Sequence, residues 1–455
     1  MTIEQARSFN MALRTHNLWQ ASANNPFISV PLEHHIHTDV AIIGGGYGGL
    51  SAALELAENG LDVHLLEAQS IGFGGSGRNV GLVNAGLWTP PDDIEATLGQ
   101  AAGQKLNQAF AQAPDLVFNL IQKHHIECNA VRHGTLHCAT NKSGLKDLNR
   151  RFLQQQKRQA PVELLSASAT MQRTGSSEFL GALFDARAGT IQPLSYAFGL
   201  AHAAVKAGAN INTQSPVLDY GYQDNQWHIA TAQGRVSAKQ LIVATNAYGT
   251  HTDIQNRSND AQPSSRDAQI QAPQSQTKGY FTPIGYCQFA TAPLTLKQQA
   301  QILPHKEGCW DTAHAMSSFR LDHKGRLIIG GVGSLEHKGS STHMHWAQRK
   351  LKALFPELKA YEFDYMWSGQ IAMTADKLPK MSAMGPQAIS LYGYSGRGIG
   401  PATTLGCAAA KWAMGLDETH LPLAISDPTM DRHWRLKSAY YNTGALLAHW
   451  LESRL

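Results

Sequence analysis

The sequence predicts an α/β fold, α+β mixed, built as two interleaved units in one chain of 455 residues. Three observations predict it. Thr38 to Ala68 reads as strand, glycine turn, helix, strand and acid. A second strand, glycine turn and helix stands near the other end, between Ile389 and Met414. Short β-type runs alternate with helical ones in between. A chain this long exceeds one simple core, so two packed domains are expected.

The first unit carries its own logic. Val40 to Ile43 is an apolar run of buried-strand length. Gly44, Gly46 and Gly49 then form G-x-G-x-x-G, with Tyr47 and Gly48 inside the motif. A helix is expected from Gly49 to Asn59, with Leu50, Ala53, Leu54 and Ala57 on one face and Gly60 as its stop. Val63 to Leu66 is a second strand, closed by Glu67 and Ala68. This is a Rossmann-like dinucleotide unit. Gly44 permits the tight turn, Gly46 lets a pyrophosphate approach, and Gly49 lets helix and strand pack. Amides at the helix N-terminus favour negative charge. Glu67 is expected to accept hydrogen bonds from ribose hydroxyls.

Composition narrows the class. Hydrophobic residues make up 43% and charged residues 16%, an ordinary globular balance. The net charge of +4 comes with no basic stripe, which argues against a nucleic-acid partner. The 21 histidines are scattered and form no metal motif, so no metal is expected. Five cysteines at irregular spacing suggest no disulfide framework and a cytoplasmic setting. The first residues are polar, and no run reaches the ~20 apolar residues of a transmembrane helix. The oligomeric state is not legible.

Along the chain, residues 1–35 form an N-terminal arm, with Asn17 to Ser22 ahead of breakers at Asn24, Asn25 and Pro26. Such an arm would cover part of the sheet or the cofactor. Five glycines between Gly72 and Gly81, with Arg78 and Asn79 as donors, mark backbone lying close to something flat or charged. Residues 91–126 read as helix, split or kinked at Pro114. Cys128 to Thr140 reads as a strand pair turning near Gly134, and Lys142 to Gln159 as an exposed helix. Val162 to Arg173 reads as another helix, Leu180 to Phe184 as a strand, and Leu194 to Ala207 as a helix stopped by Gly208. A small meander over Val217 to Ser237 precedes a separate buried strand, Leu241 to Ala244. Thr250 to Lys278 is polar and proline-containing and reads as an exposed insertion. Strands are expected at Tyr280 to Ala290, Ala315 to Leu321, Arg326 to Gly331, Tyr361 to Trp367 and Ile389 to Leu391. Helices are expected at Thr342 to Phe355 and Thr403 to Met414. The amphipathic tail, with Tyr440, Leu446, Leu447, Trp450 and Leu451, is expected to pack on the core.

The second glycine turn, Gly393 to Gly400, gives another helix N-terminus and another close backbone approach. Two glycine loops from opposite ends of a chain suit a cofactor long enough to reach both. That points to FAD rather than a nicotinamide nucleotide.

On these residues the chain resembles the D-amino-acid-oxidase-type family of FAD-dependent amine and amino-acid oxidoreductases. The matching features are Val40 to Gly49 with Glu67, IGFGGSGRNVG from Ile71 to Gly81, the Ile191 to Pro193 turn and Ala244 to Tyr248. Arg326 to Gly331, Trp367 to Gly369 and Gly393 to Ile399 complete them. Within the family, the resemblance is to members that oxidise N-substituted amines in polyamine catabolism. It implies a discontinuous FAD-binding domain over 36–90, 163–250 and 366–428. It implies a mixed-sheet substrate domain over 91–162 and 251–365, with a C-terminal helix over 429–455. By the resemblance, Gly44, Gly46, Tyr47, Gly48, Gly49, Glu67 and Ala68 bind the ADP half, and Val217 meets the adenine end. Gly74, Ser76, Gly77, Arg78, Asn79 and Gly81 lie near flavin and pyrophosphate, and Gly396, Arg397, Gly398 and Ile399 line the ring. Relatives with covalent FAD carry a cysteine after Trp-Ser-Gly. Here Gln370 to Thr374 has none, so non-covalent FAD is expected.

The implied reaction moves a hydride from the amine's α C–H to the flavin, hydrolyses the imine and returns electrons to oxygen or another acceptor. Trp367 and Tyr394 are the candidate catalytic-face residues, and Arg397 is a candidate for a substrate carboxylate or a flavin carbonyl. An amino-acid oxidase or dehydrogenase acting on sarcosine, pipecolate, proline or a D-amino acid stays open. So does a flavin-binding protein without turnover.

Overall fold

The computed structural model describes residues 17–249, 279–335 and 339–451. The expected insertion from Thr250 to Lys278 lies outside the described residues, as does the start of the arm, 1–16.

Two sheets carry the fold. The first runs Ile425–Ser426, Lys380–Gly385, Ala388–Tyr392, Arg235–Val243, His35–Ile43, Val63–Leu66 and Asn210–Asn212 in spatial order. Asp219–Gln223 and Gln226–Ala230 extend it as an antiparallel ribbon beside Arg235–Val243. His35–Ile43 pairs in parallel with both of its neighbours. Its last four residues are buried, which is why they read as a plain apolar run.

The helix Tyr47–Glu58 carries the chain back between parallel strands. One apolar face was expected, yet it is buried almost all round. Pro193–Ala207 and Ile399–Ala413 both pack on it, and small residues allow the approach. A Cβ on Gly406 would lie 2.3 Å from the Gly48 carbonyl oxygen.

The second sheet runs Phe363–Met373, Thr282–Pro293, Arg326–Val332, Ser317–Leu321, Gly308–Asp311, Thr135–Ala139, Gly181–Asp185 and Val162–Ser166. Gly181–Asp185 and most of Phe363–Met373 fall in segments expected of the first domain, and both pair into this sheet. Alternation divides its faces. Cys287, Phe289, Phe319 and Ile329 pack with Trp346 and Leu351 of the helix Ser340–Leu354. Tyr286, Gln288, Val332, Ser318 and Trp310 lie on the opposite face by strand register. Together the sheets give the expected α/β architecture with mixed sheets.

Several elements differ from expectation for local reasons. The stretch 91–126 is three helices, Pro91–Leu98, Gln100–Ala111 and Ala113–Lys123. Gly99 breaks it at φ 83°, and Pro114 sits in the first turn of the third helix, where its missing N–H costs nothing. Cys128 to Thr140 holds one strand, Thr135–Ala139, plus a bridge from Val131 to Thr190. Val162–Ser166 is a strand, because it finds Gly181–Asp185 as partner. Ser166 then caps a short helix, Ala167–Thr174, by accepting from the Ala169 amide. Arg235–Val243 is one continuous strand rather than two pieces.

The tail forms the helix Trp434–Leu451, but its large apolar groups do not enter the core. Tyr440 is 74% exposed, and Leu447, Trp450 and Leu451 are exposed too. Ala445 and His449 are buried instead. His449 Nδ1 lies 2.7 Å from His343 Nδ1 on the helix Ser340–Leu354. Its ring stacks on Trp346 at 4.0 Å, and Arg349 donates to its carbonyl. Burial first, then the neighbouring His343 and the positive charge of Arg349 and Lys350, pulls His449 down to about 3. Burial lowers His343 as well. Both rings are therefore neutral in the docked helix. A released helix returns them toward about 6.5 and takes up protons below that pH. Docking is thus complete above about pH 6.5 and weakens as pH falls toward 3. Thermal melts should show Tm falling between pH 6.5 and 5. His449→Phe, which keeps a ring on Trp346, should flatten that slope. An unchanged slope would count against the histidine pair.

Candidate active site

One cavity of about 640 Å³ lies between the two units. Its walls come from the first glycine turn, the Gly72 to Gly81 loop, the second glycine turn, the second sheet and the C-terminal helix.

The nucleotide end follows from the first turn. Gly44 has φ 111°, in the region that favours glycine. The Gly45 and Gln69 amides donate to the Glu67 carboxylate at 2.7 and 2.9 Å. Burial raises the Glu67 pKa, opposed by those amides. Glu67, Ala68, Ser215 and Val217 share this end. A Cβ on Gly46 would sit 3.0 Å from Ser76 Oγ, inside the cradle. Ser76 Oγ also accepts from the Tyr47 amide at 3.1 Å, which ties the turn to the second loop.

That loop is held from outside. Gln288 Nε2 and Trp367 Nε1 both donate to the Arg78 carbonyl, at 2.6 and 3.0 Å. Trp19 Nε1 donates to the Asn79 carbonyl at 2.8 Å, and Asn17 to the Gly77 carbonyl at 2.8 Å. Arg320 reaches the carbonyls of Val80, Gly81 and Ile191, and burial lowers its pKa to about 10. The described part of the arm thus covers the loop. Arg78 spends its guanidinium on the Phe73 and Ser368 carbonyls.

The other side of the cavity is floored by the inward face of the second sheet. Tyr286, Val332, Met316, Ser318 and Trp310 border the cavity there. The Tyr286 hydroxyl lies 2.8 Å from Ser318 Oγ. Arg397 enters from the second glycine turn and is half-buried, its open side being the cavity. Its guanidinium lies 5.4 Å from the Trp88 ring and 5.1 Å from the Trp310 ring. Its Nη1 donates to the Ala85 carbonyl at 2.9 Å. Among the described residues it has no carboxylate in ion-pair contact. Asp185, which acts on it from a distance, is bonded to Arg187. Burial, then the charge of Arg151, pulls Arg397 down to about 9. At neutral pH it remains a cation facing a cavity.

The structure gathers most of the expected residues around this space. Gly44, Gly46, Tyr47, Gly48, Glu67, Ala68, Gly74, Ser76, Arg78, Asn79 and Val217 border it, with Tyr394, Gly396, Arg397, Gly398 and Ile399 opposite. Gly49, Gly77, Gly81 and Trp367 do not line it. The three glycines stand behind the wall, where a Cβ would meet backbone oxygen at 2.1 to 2.4 Å. Trp367 is 3% exposed and packs edge-on against Trp19, so it anchors the loop instead of facing a substrate. Trp88, Trp310 and Tyr286 went unanticipated. Strand register places Trp310 and Tyr286, and inward alternation along those strands hints at them, whereas Trp88 arrives on the bend ahead of the helix Pro91–Leu98 and carries no local signal.

Three comparisons place the chain. Residues 39–412 match the family model described as FAD dependent oxidoreductase. "Probable oxidoreductase OrdL" of Haemophilus influenzae is 30% identical, over 90% of this chain and 91% of the relative. "Gamma-glutamylputrescine oxidoreductase" of Escherichia coli (strain K12) is 30% identical, over 86% of each chain. Among solved structures, glycine oxidase from Geobacillus kaustophilus has a TM-score of 0.66 at 19% identity, covering 83% of this chain and 95% of that one. L-proline dehydrogenase from P. horikoshii has a TM-score of 0.66 at 18% identity, covering 91% and 97%.

The residues fit the cofactor these findings name. A glycine turn meets a helix N-terminus, a carboxylate waits beyond it, and a Cβ on Gly46 would press on Ser76 Oγ at the cavity wall. The cavity runs on from there to the second glycine turn. None of the five cysteines borders it.

Proposed function

The chain belongs to the family of FAD-dependent oxidoreductases, and on that premise we propose that it oxidises the C–N bond of an amine that also carries a carboxylate. Arg397 carries this reading. A guanidinium between two indoles, turned to a cavity and without a carboxylate partner among the described residues, suits a ligand carboxylate in bidentate contact.

FAD, when bound, supplies the two-electron oxidant. The protein's own groups do the rest. Gly44 to Gly48, Glu67 and Ser76 hold the nucleotide half. Gln288, Trp367, Trp19 and Arg320 keep the Gly72 to Gly81 loop in place. Arg397 fixes the carboxylate, and the Trp88 and Trp310 rings exclude water around it. Orientation of this kind contributes through proximity rather than through a protein acid or base. No side chain is assigned as a base.

A γ-glutamylated diamine such as γ-glutamylputrescine meets both demands, with a carboxylate at one end and an oxidisable amine at the other. An α-amino acid or N-methyl amino acid meets them at shorter range. Anaerobic flavin bleaching of the holoenzyme tests the choice. The panel holds γ-glutamylputrescine, putrescine, sarcosine, pipecolate, proline and D-amino acids. Bleaching by carboxylate-bearing amines and not by putrescine is the expected result. Bleaching by putrescine alone would overturn the reading. Readmitting air then separates oxygen from other acceptors.

A further inference from the structure

The C-terminal helix Trp434–Leu451 lies beyond the residues matched by the family, yet it borders the same cavity. It is fastened to the sheet that floors the cavity. Ser438 Oγ donates to the Pro283 carbonyl at 2.8 Å, and the Gly285 amide donates to Asn442 Oδ1 at 3.2 Å. Tyr441, Gly444, Ala445 and Ala448 share one face at helical spacing, and that face borders the cavity.

The two ends of the chamber are set by strand order. Arg397 sits against Trp310, on the strand Gly308–Asp311. The helix docks on Thr282–Pro293, three strands away through Ser317–Leu321 and Arg326–Val332. At ~4.8 Å per strand, the two ends lie about 14 Å apart. Between them the floor carries the apolar Met316, Val332 and Ile284 together with Tyr286 and Ser318, whose hydroxyls are bonded to each other.

We propose that the C-terminal helix is the end wall of the substrate chamber and sets how long a substrate it takes. The chamber holds an elongated amine, its carboxylate at Arg397 and its far end against Gly444 and Ala448. This rests on the reading of Arg397 as a carboxylate site. Gly444 is the position that controls length. A Cβ there meets nothing within 4 Å, so a large side chain grows into open space without displacing the helix.

The test uses the holoenzyme and a series of straight-chain carboxylates from acetate to decanoate, followed by flavin absorbance and by calorimetry. In the unmodified protein, affinity should rise by about fourfold per methylene and level off only near the end of the series. In Gly444→Phe it should follow the same line for short chains and level off several methylenes earlier. In Arg397→Met every length should weaken together. A Gly444→Phe series superposed on the unmodified one would overturn the end wall while leaving the carboxylate site standing. Carboxylates that bind equally well to Arg397→Met, or that do not bind at all, would overturn the carboxylate site and the proposal with it. Melting curves for each variant check that the fold is kept.

Discussion

Arg397→Met is expected to lower kcat/KM for a carboxylate-bearing amine by roughly 10² to 10³-fold. Methionine keeps much of the volume between Trp88 and Trp310 but removes the charge. Truncating one member of a desolvated charge pair costs about 3–4 kcal/mol, and each 1.4 kcal/mol is tenfold. The loss should appear mainly in KM and in the substrate's binding step, with flavin content unchanged. An amide analogue of the same substrate should lose little, because it never used the charge. Arg397→Lys should recover only part of the loss. An ammonium offers no planar fork and stacks less well between two indoles. Equal kcat/KM in Arg397→Met and the unmodified enzyme would show that the guanidinium serves the fold alone.

Gly49→Ala is expected to abolish retained FAD. The new methyl would lie 2.1 Å from the Gly44 carbonyl oxygen and 3.2 Å from Ile42 Cγ2. Heavy atoms need about 3.5 Å, so helix and strand must part by an ångström or more. The distortion falls on the glycine turn proposed to hold the nucleotide half. Overpacking of this kind costs about 1–3 kcal/mol or more and moves the anion site off its position. The absorbance ratio of flavin to protein should fall to near zero after gel filtration, and Tm should drop with it. Gly60→Ala is the comparison. Its Cβ would meet nothing within 4 Å, though φ there is 82°, so it should cost some stability and keep its flavin. Normal flavin content in Gly49→Ala would remove the close-packing argument for that glycine.

Not all of this was equally legible. The turn from Gly44 to Gly49, the strand ending in Leu66 and the acid at Glu67 could be read directly. The segment Val162 to Ser166 could not, because its pairing with Gly181–Asp185 decides it and its own spacing does not. Trp367 was misleading for the same reason. It lies two residues before Gly369 and ahead of the second glycine turn, yet the register that places it next to Gln288 turns it onto the Arg78 carbonyl. The large residues of the tail suggested core packing, whereas the helix docks through Ala445 and His449.

The nucleotide unit, the cofactor class and the family were legible in the chain alone, because these rest on backbone conformations fixed within a few residues. A glycine at φ 111°, a helix start and a strand end need no distant partner to be recognised. What lines the cavity beside the proposed carboxylate site depends on packing between distant segments. Trp88, Trp310, Arg397 and the C-terminal helix come from four separate stretches: strand order and register place Trp310, the connecting turns bring in Trp88 and Arg397, and docking on Thr282–Pro293 brings in the helix. Those pairings are non-local, set by which faces can be buried against one another, and no short window of sequence contains them.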